Sequence, residues 1–307
     1  MNTVNVWNED CIQGMPGRLD ANSVDLCVTS IPFMGLFMYS GKTEDVGNNS
    51  DSVECREGQF GLHMRFFIEQ LYRVMKPGCN ACIHIQQLLR YKNQHGYIGR
   101  RDFRGAVVDL FGAGGFEWTG EFVIPKNPQI IAQRLNLHSL QFITGYCRNA
   151  RDLAPAVNDY VLIFKKPGAS EPCLSLNEPD KNPGGWVSTE EWILWARGVW
   201  DDINEIDVLD GYKSARETDE ERHVCPLQLE VIRRCIRLYT KPGETVIDPF
   251  MGIFSTAYVA IEQGRNAVGF ELKESYFDLG QRNIAKLRAK MEEAKIDLFN
   301  WHEKGAE

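Results

Sequence analysis

Two short segments carry side chains whose order points to chemistry. The first is Ser30-Ile31-Pro32-Phe33. A hydroxyl, a carbonyl held outward and an aromatic ring together form a slot for a planar ring that bears an amino group. Ser30 Oγ and the Ile31 carbonyl would accept hydrogen bonds from that amino group. Pro32 stops the strand ladder, and Phe33 stacks on the ring. The bland alternative is a proline turn that merely closes a strand. The second segment is Asp248-Pro249-Phe250-Met251-Gly252-Ile253-Phe254-Ser255-Thr256, with Glu271 23 positions after Asp248. Gly252 lets backbone approach a ligand closely. An acid about 20 residues beyond a glycine turn suits ribose hydroxyls. The turn has no Walker-type lysine, so a nucleoside without a phosphate chain fits better than a triphosphate.

Both segments need elements that end where they begin. Residues 24–29 are a β-branched apolar run and read as a buried strand. A Gly/Ser/Asn-rich loop follows from roughly 34 to 60, a length usually tied to function or disorder. Residues 64–75 have helical spacing and stop at Lys76-Pro77-Gly78. Residues 81–85 read as a strand on which His84 is a core histidine. A helix over 102–110 stops at the glycines after 111, and 117–124 and 160–164 read as strands. Beyond 222 the pattern is helix 227–238, strand 245–247, helix 256–262, strand 267–270 and a long charged helix 274–293. This alternation predicts an α/β fold, a mainly parallel sheet with helices on both faces and ligands at the carboxyl ends of its strands.

Residues 169–222 differ in composition and hold four of the seven tryptophans. Trp186, Trp192, Trp195 and Trp200 have the spacing of core residues more than of a base-stacking platform. Ser188-Thr189-Glu190-Glu191 has the form of a capping box.

The 307 residues carry 34 Lys+Arg against 42 Asp+Glu, a net charge of -8. That excludes a histone-like mass binder of nucleic acid, but not a local basic groove. Residues 122–151 contain no acid and carry Lys126, Arg134, Arg148 and Arg151. Residues 86–104 carry Arg90, Lys92, Arg100, Arg101 and Arg104 against Asp102 alone. Acids gather instead at Asp201, Asp202, Glu205, Asp207 and Asp210. Nine cysteines, an odd number in apolar segments, suit a reducing compartment. Cys79 and Cys82 form a C-x-x-C without a second pair at zinc spacing, so no metal is expected. No run reaches the roughly 18 apolar residues of a membrane span. The opening residues have neither the basic nor the apolar region of a secretory signal, and a cytoplasmic chain is the expectation.

The two segments together resemble the amino-group DNA methyltransferases of the β-group, specific for N6-adenine or N4-cytosine and dependent on S-adenosylmethionine. Ser30-Ile31-Pro32-Phe33 resembles their [DNS]-P-P-[YF] motif, and Asp248–Thr256 their D-P-F-x-G-x-G-[ST]-T motif. Asp10-Cys11 with residues 25–30, Arg73-Val74-Met75-Lys76-Pro77-Gly78, residues 160–165 and Arg222-His223-Val224-Cys225-Pro226 are similar to further segments of the family, with the look of phage or mobile-element orphan enzymes. Ile31 replaces the first proline and Phe254 the second glycine. The resemblance implies a Rossmann-like methyltransferase fold with a seven-stranded sheet and circularly permuted motifs. Residues 1–168 would form the catalytic half, 169–222 a target-recognition insertion and 223–307 the cofactor half.

It further implies methyl transfer to the amino group of a flipped base in double-stranded DNA, or of a base in single-stranded DNA. Ser30 leans toward N4-cytosine. Ser30, Ile31, Pro32 and Phe33 would be catalytic. Asp10, Cys11, Ser30, His223, Asp248, Pro249, Phe250, Gly252, Ser255, Thr256 and Glu271 would bind the cofactor. Arg90, Lys92, Arg100, Arg101, Lys126 and Arg134 would contact DNA. Similar enzymes are commonly homodimers and part of restriction-modification systems. The competing reading, a non-catalytic DNA-binding or regulatory module with a degenerate site, rests on Ile31 and Phe254.

Overall fold

A computed structural model describes residues 2–33, 58–90, 96–97, 99–130, 147, 151, 156–171, 187–211 and 226–304. The elements in chain order are β1 (Val4–Trp7), α1 (Cys11–Arg18), β2 (Val24–Ser30), α2 (Gln59–Val74), β3 (Met75–Gln86), β4 (Leu88–Arg90), β5 (Gly99–Arg101) and α3 (Phe103–Ala113). They continue with β6 (Glu117–Ile124), β7 (Asp159–Lys165), α4 (Thr189–Trp195), α5 (Leu229–Tyr239), β8 (Thr245–Asp248), α6 (Ser255–Glu262), β9 (Asn266–Phe270) and α7 (Glu274–Lys304).

Seven strands form one sheet in the order β1-β9-β8-β2-β3-β7-β6. The first five run parallel, and β7 is antiparallel to both of its neighbours. Strand β2 is buried along nearly its whole length, as a central strand covered on both faces must be. On one face, α2 supplies Phe60, Met64, Phe67, Ile68 and Leu71 at helical spacing, and these pack with Phe103, Val107 and Phe111 of α3. On the other, α5 and α6 pack Ile232, Cys235, Ile236, Ala257 and Ala260 against Leu26, Val28 and Val246.

From β2 the chain crosses through α2 to β3, on one side. From β8 it crosses through α6 to β9, on the other. The ends of β2 and β8 therefore meet at a topological switch point, the crevice where open α/β sheets bind ligands.

Three expectations change. The first Lys-Pro-Gly turn does not separate helix from strand: β3 begins at Met75 and runs through it, with Gly78 at φ 79. The helix at 103 runs past Gly112 to Ala113. The strand Val4–Trp7, which carries no marked alternation, is added to the sheet edge by pairing with β9.

The capping box at Ser188 and Glu191 is present. Trp195 and Trp200 are buried, while Trp192 is exposed. Trp200 stacks on Phe122 at 4.1 Å, and its backbone N–H donates to Val123 O. The Arg234 guanidinium lies 5.6 Å and 5.3 Å from the Trp195 and Trp200 rings and pairs with Asp202 and Glu230. Residues 195–202 are thus fastened onto β6 and α5. Among the described residues, no helix is long and apolar enough to cross a membrane.

Candidate active site

The two segments singled out in the sequence lie side by side. Thr29 Oγ1, one residue before Ser30, donates to Asp248 Oδ1 at 2.6 Å. Thr256 Oγ1 donates to Asp248 Oδ2 at 2.7 Å, and the Phe250 N–H donates to Oδ1 at 3.0 Å. Asp248 thereby ties β2, the turn and α6 together from beneath. Burial pushes its carboxyl up to about 6, against the hydrogen bonds from Thr29, Thr256 and the Phe250 amide, which pull it down. Pro249, Ser255 and Thr256 are buried beside it, and Phe250 packs on Phe67 at 5.0 Å.

Above this base lies a backbone cradle. Gly252 has φ 54, and a Cβ built there would meet nothing within 4 Å. Its N–H donates to Glu271 Oε2 at 2.7 Å, and the Lys273 N–H donates to Oε1 at 2.8 Å. Glu271 is half-buried at the end of β9. An acid held at a strand end beside an open glycine turn fits a nucleoside's ribose hydroxyls.

Phe254 does not fill this space. It adopts φ 72, the left-handed conformation that a glycine takes readily. Its ring is fully buried and meets Phe277 edge-on at 5.6 Å. Gly280 of α7 makes room for it, since a Cβ there would lie 2.2 Å from Phe254 Cδ1. The substitution that looked damaging in sequence is turned away from the ligand side and into the core.

Asp10 caps α1, its Oδ1 accepting from the Gln13 N–H at 2.9 Å. Cys11 is 4% exposed, its thiol pushed up by burial, and belongs to the core.

At the end of β2, Ile31 is buried in the core. Its packing anchors the turn where a proline would have stiffened it. Phe33 is 9% exposed and meets Phe103 edge-on at 6.3 Å. Ser30 stands opposite His84 in the β2–β3 register, and Ser30 Oγ lies 2.8 Å from His84 Nδ1. His84 is therefore a neighbour of the candidate amino-group acceptor, and the core-histidine reading is corrected. Its Nε2 is 3.2 Å from Asp159 Oδ2, and Gln86 Nε2 donates to Asp159 Oδ1 at 3.1 Å.

Lys126 is a second correction. Its side chain is 1% exposed and 2.8 Å from Asp159 Oδ2, so it neutralises a buried carboxylate and does not face DNA. Asp159 and Gln86 were not singled out from sequence. The available signal was their polarity at the ends of otherwise apolar strands.

Arg90, Arg100 and Arg101 share the two-stranded β4–β5 sheet. Gln87 braces its base, with Oε1 accepting from the Phe103 and Arg104 N–H groups. His223, Lys92, Arg134 and Trp186 lie outside the described residues.

A Rossmann-like sheet with a nucleoside cradle at its switch point, and an amino-group acceptor one strand away, defines a methyltransferase fold. Residues 24–282 match the family described as DNA methylase, N6_N4_Mtase, and the chain belongs to that family. Type II methyltransferase M.BglII of Bacillus subtilis is 33% identical over 280 residues, covering 86% of this chain and 64% of that protein. Type II methyltransferase M.MjaI of Methanocaldococcus jannaschii is 28% identical over 212 residues, covering 67% of this chain and 61% of that protein. The matches thus span less than two thirds of these curated relatives. Among solved structures, TTHA0409 of Thermus thermophilus, a DNA modification methylase complexed with S-adenosyl-L-methionine, superposes with a TM-score of 0.64. It is 19% identical, over 94% of both chains, and is similar in fold.

Proposed function

We propose that this chain transfers a methyl group from S-adenosylmethionine to the exocyclic amino group of a base in DNA, N4 of cytosine in preference to N6 of adenine. The observation that carries the reading is the Thr29–Asp248 hydrogen bond of 2.6 Å, which joins the amino-group slot to the nucleoside cradle. When bound, S-adenosylmethionine supplies an electrophilic methyl group. Gly252, Glu271 and Phe250 would hold it, with Asp248, Pro249, Ser255 and Thr256 building the turn beneath. Ser30 Oγ and the Ile31 carbonyl accept from the base's N–H groups, and Phe33 stacks on the ring. Accepting those bonds makes the nitrogen more nucleophilic, so most of the rate gain is positioning and electrostatics.

The base must leave the duplex to reach the slot. Arg90, Arg100 and Arg101 on the β4–β5 ribbon are the candidate phosphate contacts, and the stretch 169–222 the candidate sequence reader. Inward-facing Phe254 and core-packed Ile31 speak against a degenerate site. The reading also places the enzyme in the cytoplasm, in a restriction-modification or orphan methylation role.

The test is transfer of tritiated methyl groups to DNA from a methylation-free host, followed by digestion to nucleosides. Labelled N4-methylcytosine is expected. Labelled N6-methyladenine would correct the base, and DNA binding without label would restore the regulatory reading.

A further inference from the structure

The site contains a polar chain that the amino-group reading of Ser30 leaves unused. It runs across four neighbouring strands: Ser30 at the end of β2, His84 on β3, Asp159 at the start of β7, and Lys126 just past β6. The contacts are 2.8 Å from Ser30 Oγ to His84 Nδ1, 3.2 Å from His84 Nε2 to Asp159 Oδ2, and 2.8 Å from that oxygen to Lys126 Nζ. The His84, Asp159 and Lys126 side chains are 10%, 8% and 1% exposed. Among the described residues, the charged groups facing the imidazole are Asp159 and Lys126, and Phe33 adds an apolar ring at 6.1 Å.

The chain has a direction. Burial alone would push the Asp159 carboxyl up, but His84 and Lys126 hold it below the ordinary aspartate value, so it is ionised. A carboxylate opposite Nε2 demands a proton on that nitrogen. In the neutral ring Nδ1 is then a bare acceptor. The Ser30 hydroxyl must donate to it, which leaves the lone pairs of Ser30 Oγ for the substrate.

We propose that His84 is a positioning residue that holds Ser30 as an acceptor and receives, through it, the proton shed by the methylated amino group. The proposal rests on the reading of Ser30 as the amino-group acceptor. Once methylated, the nitrogen is cationic and holds one proton too many. Its N–H bond breaks, the electron pair stays on nitrogen, and the proton goes to Ser30 Oγ. The Ser30 O–H bond breaks in concert, and that proton goes to His84 Nδ1. The imidazolium so formed lies against Asp159 and returns its proton to water after product leaves.

Ring-labelled ¹⁵N-histidine tests the tautomer directly, with the His84 signals assigned by their loss in His84→Asn. A protonated Nε2 and bare Nδ1 at neutral pH are expected; a proton on Nδ1 overturns the proposal. His84→Ala is expected to lower kcat about 100-fold, with the calorimetric affinity for S-adenosylmethionine unchanged. His84→Asn keeps an acceptor near the Nδ1 position but cannot take a proton. It should recover part of kcat and lose the acid limb of the kcat–pH profile. Wild-type kcat in both variants, or an unchanged acid limb in His84→Asn, overturns the relay. No transfer by the wild type, or full transfer by Ser30→Ala, instead overturns the reading on which it rests.

Discussion

Asp248 is the residue on which the crevice turns, and its environment makes a pH prediction. Its folded value of about 6 lies above the ordinary 3.8 because it is buried. The native state therefore holds the proton more tightly than the unfolded chain does between those values. Native stability is undiminished below the unfolded value and declines as pH rises through the folded one. Two units correspond to about 3 kcal/mol. Asp248→Asn removes this titration and keeps partners for Thr29 and Thr256. In urea unfolding, the variant should gain on the wild type from about pH 4 to pH 6 and hold a constant difference above that. A difference independent of pH would remove the buried-carboxylate account. At this scale, Ser30, Phe33, Asp248 and Glu271 were legible because residue type and local order carry their chemistry. His84 was not: an apolar strand hides which of its residues stands beside a neighbouring strand's end, and only the register with β2 reveals it.

The elements set that register. Alternating strands and helices were readable as a parallel sheet, but the reversed direction of β7 was not. That reversal brings Asp159, at the start of its strand, to the edge where β2 and β3 end. The turn before α6 shows a second limit of sequence. The left-handed residue there is Phe254, whose backbone costs roughly 1–2 kcal/mol over a right-handed one. Burying its ring against Phe277 and Gly280 offsets that strain. The pairing of Phe254 with a glycine on a distant helix has no local signature. It makes a prediction about coupling. Gly280→Ala should destabilise the wild type by about 1–3 kcal/mol through overpacking. In a Phe254→Gly background the clash partner is gone, and the same substitution should cost little or gain from helix propensity. Denaturant unfolding of the four proteins gives the interaction energy. Additive effects would mean that α7 adjusts freely and that the fit of helix to turn is not what holds Phe254 inward.

At the scale of the whole molecule, the question is how a chain of net charge -8 approaches a polyanion. The basic stretches counted in sequence overstate what faces outward. Lys126 is committed to Asp159, and Arg104 pairs with Glu121 at 2.5 Å and lies 5.0 Å from the Trp118 ring. Arg100, by contrast, is exposed on the β4–β5 ribbon, with one donor to Ala156 O at 3.0 Å. The ribbon follows β3 directly, and its base is braced by Gln87 within a few residues of His84. A cation there is fixed relative to the slot. Each phosphate it neutralises releases condensed counterions, so the slope of log affinity against log salt reports the number of such contacts. Arg100→Ala should weaken DNA binding across sequences and lower the magnitude of that slope by about 1. Arg104→Gln removes a charge already matched within the protein and should leave the slope as it is. Fluorescence anisotropy on a short duplex over a range of salt concentrations measures both. If Arg104→Gln flattens the slope while Arg100→Ala does not, DNA approaches over β6, and the ribbon belongs to another surface.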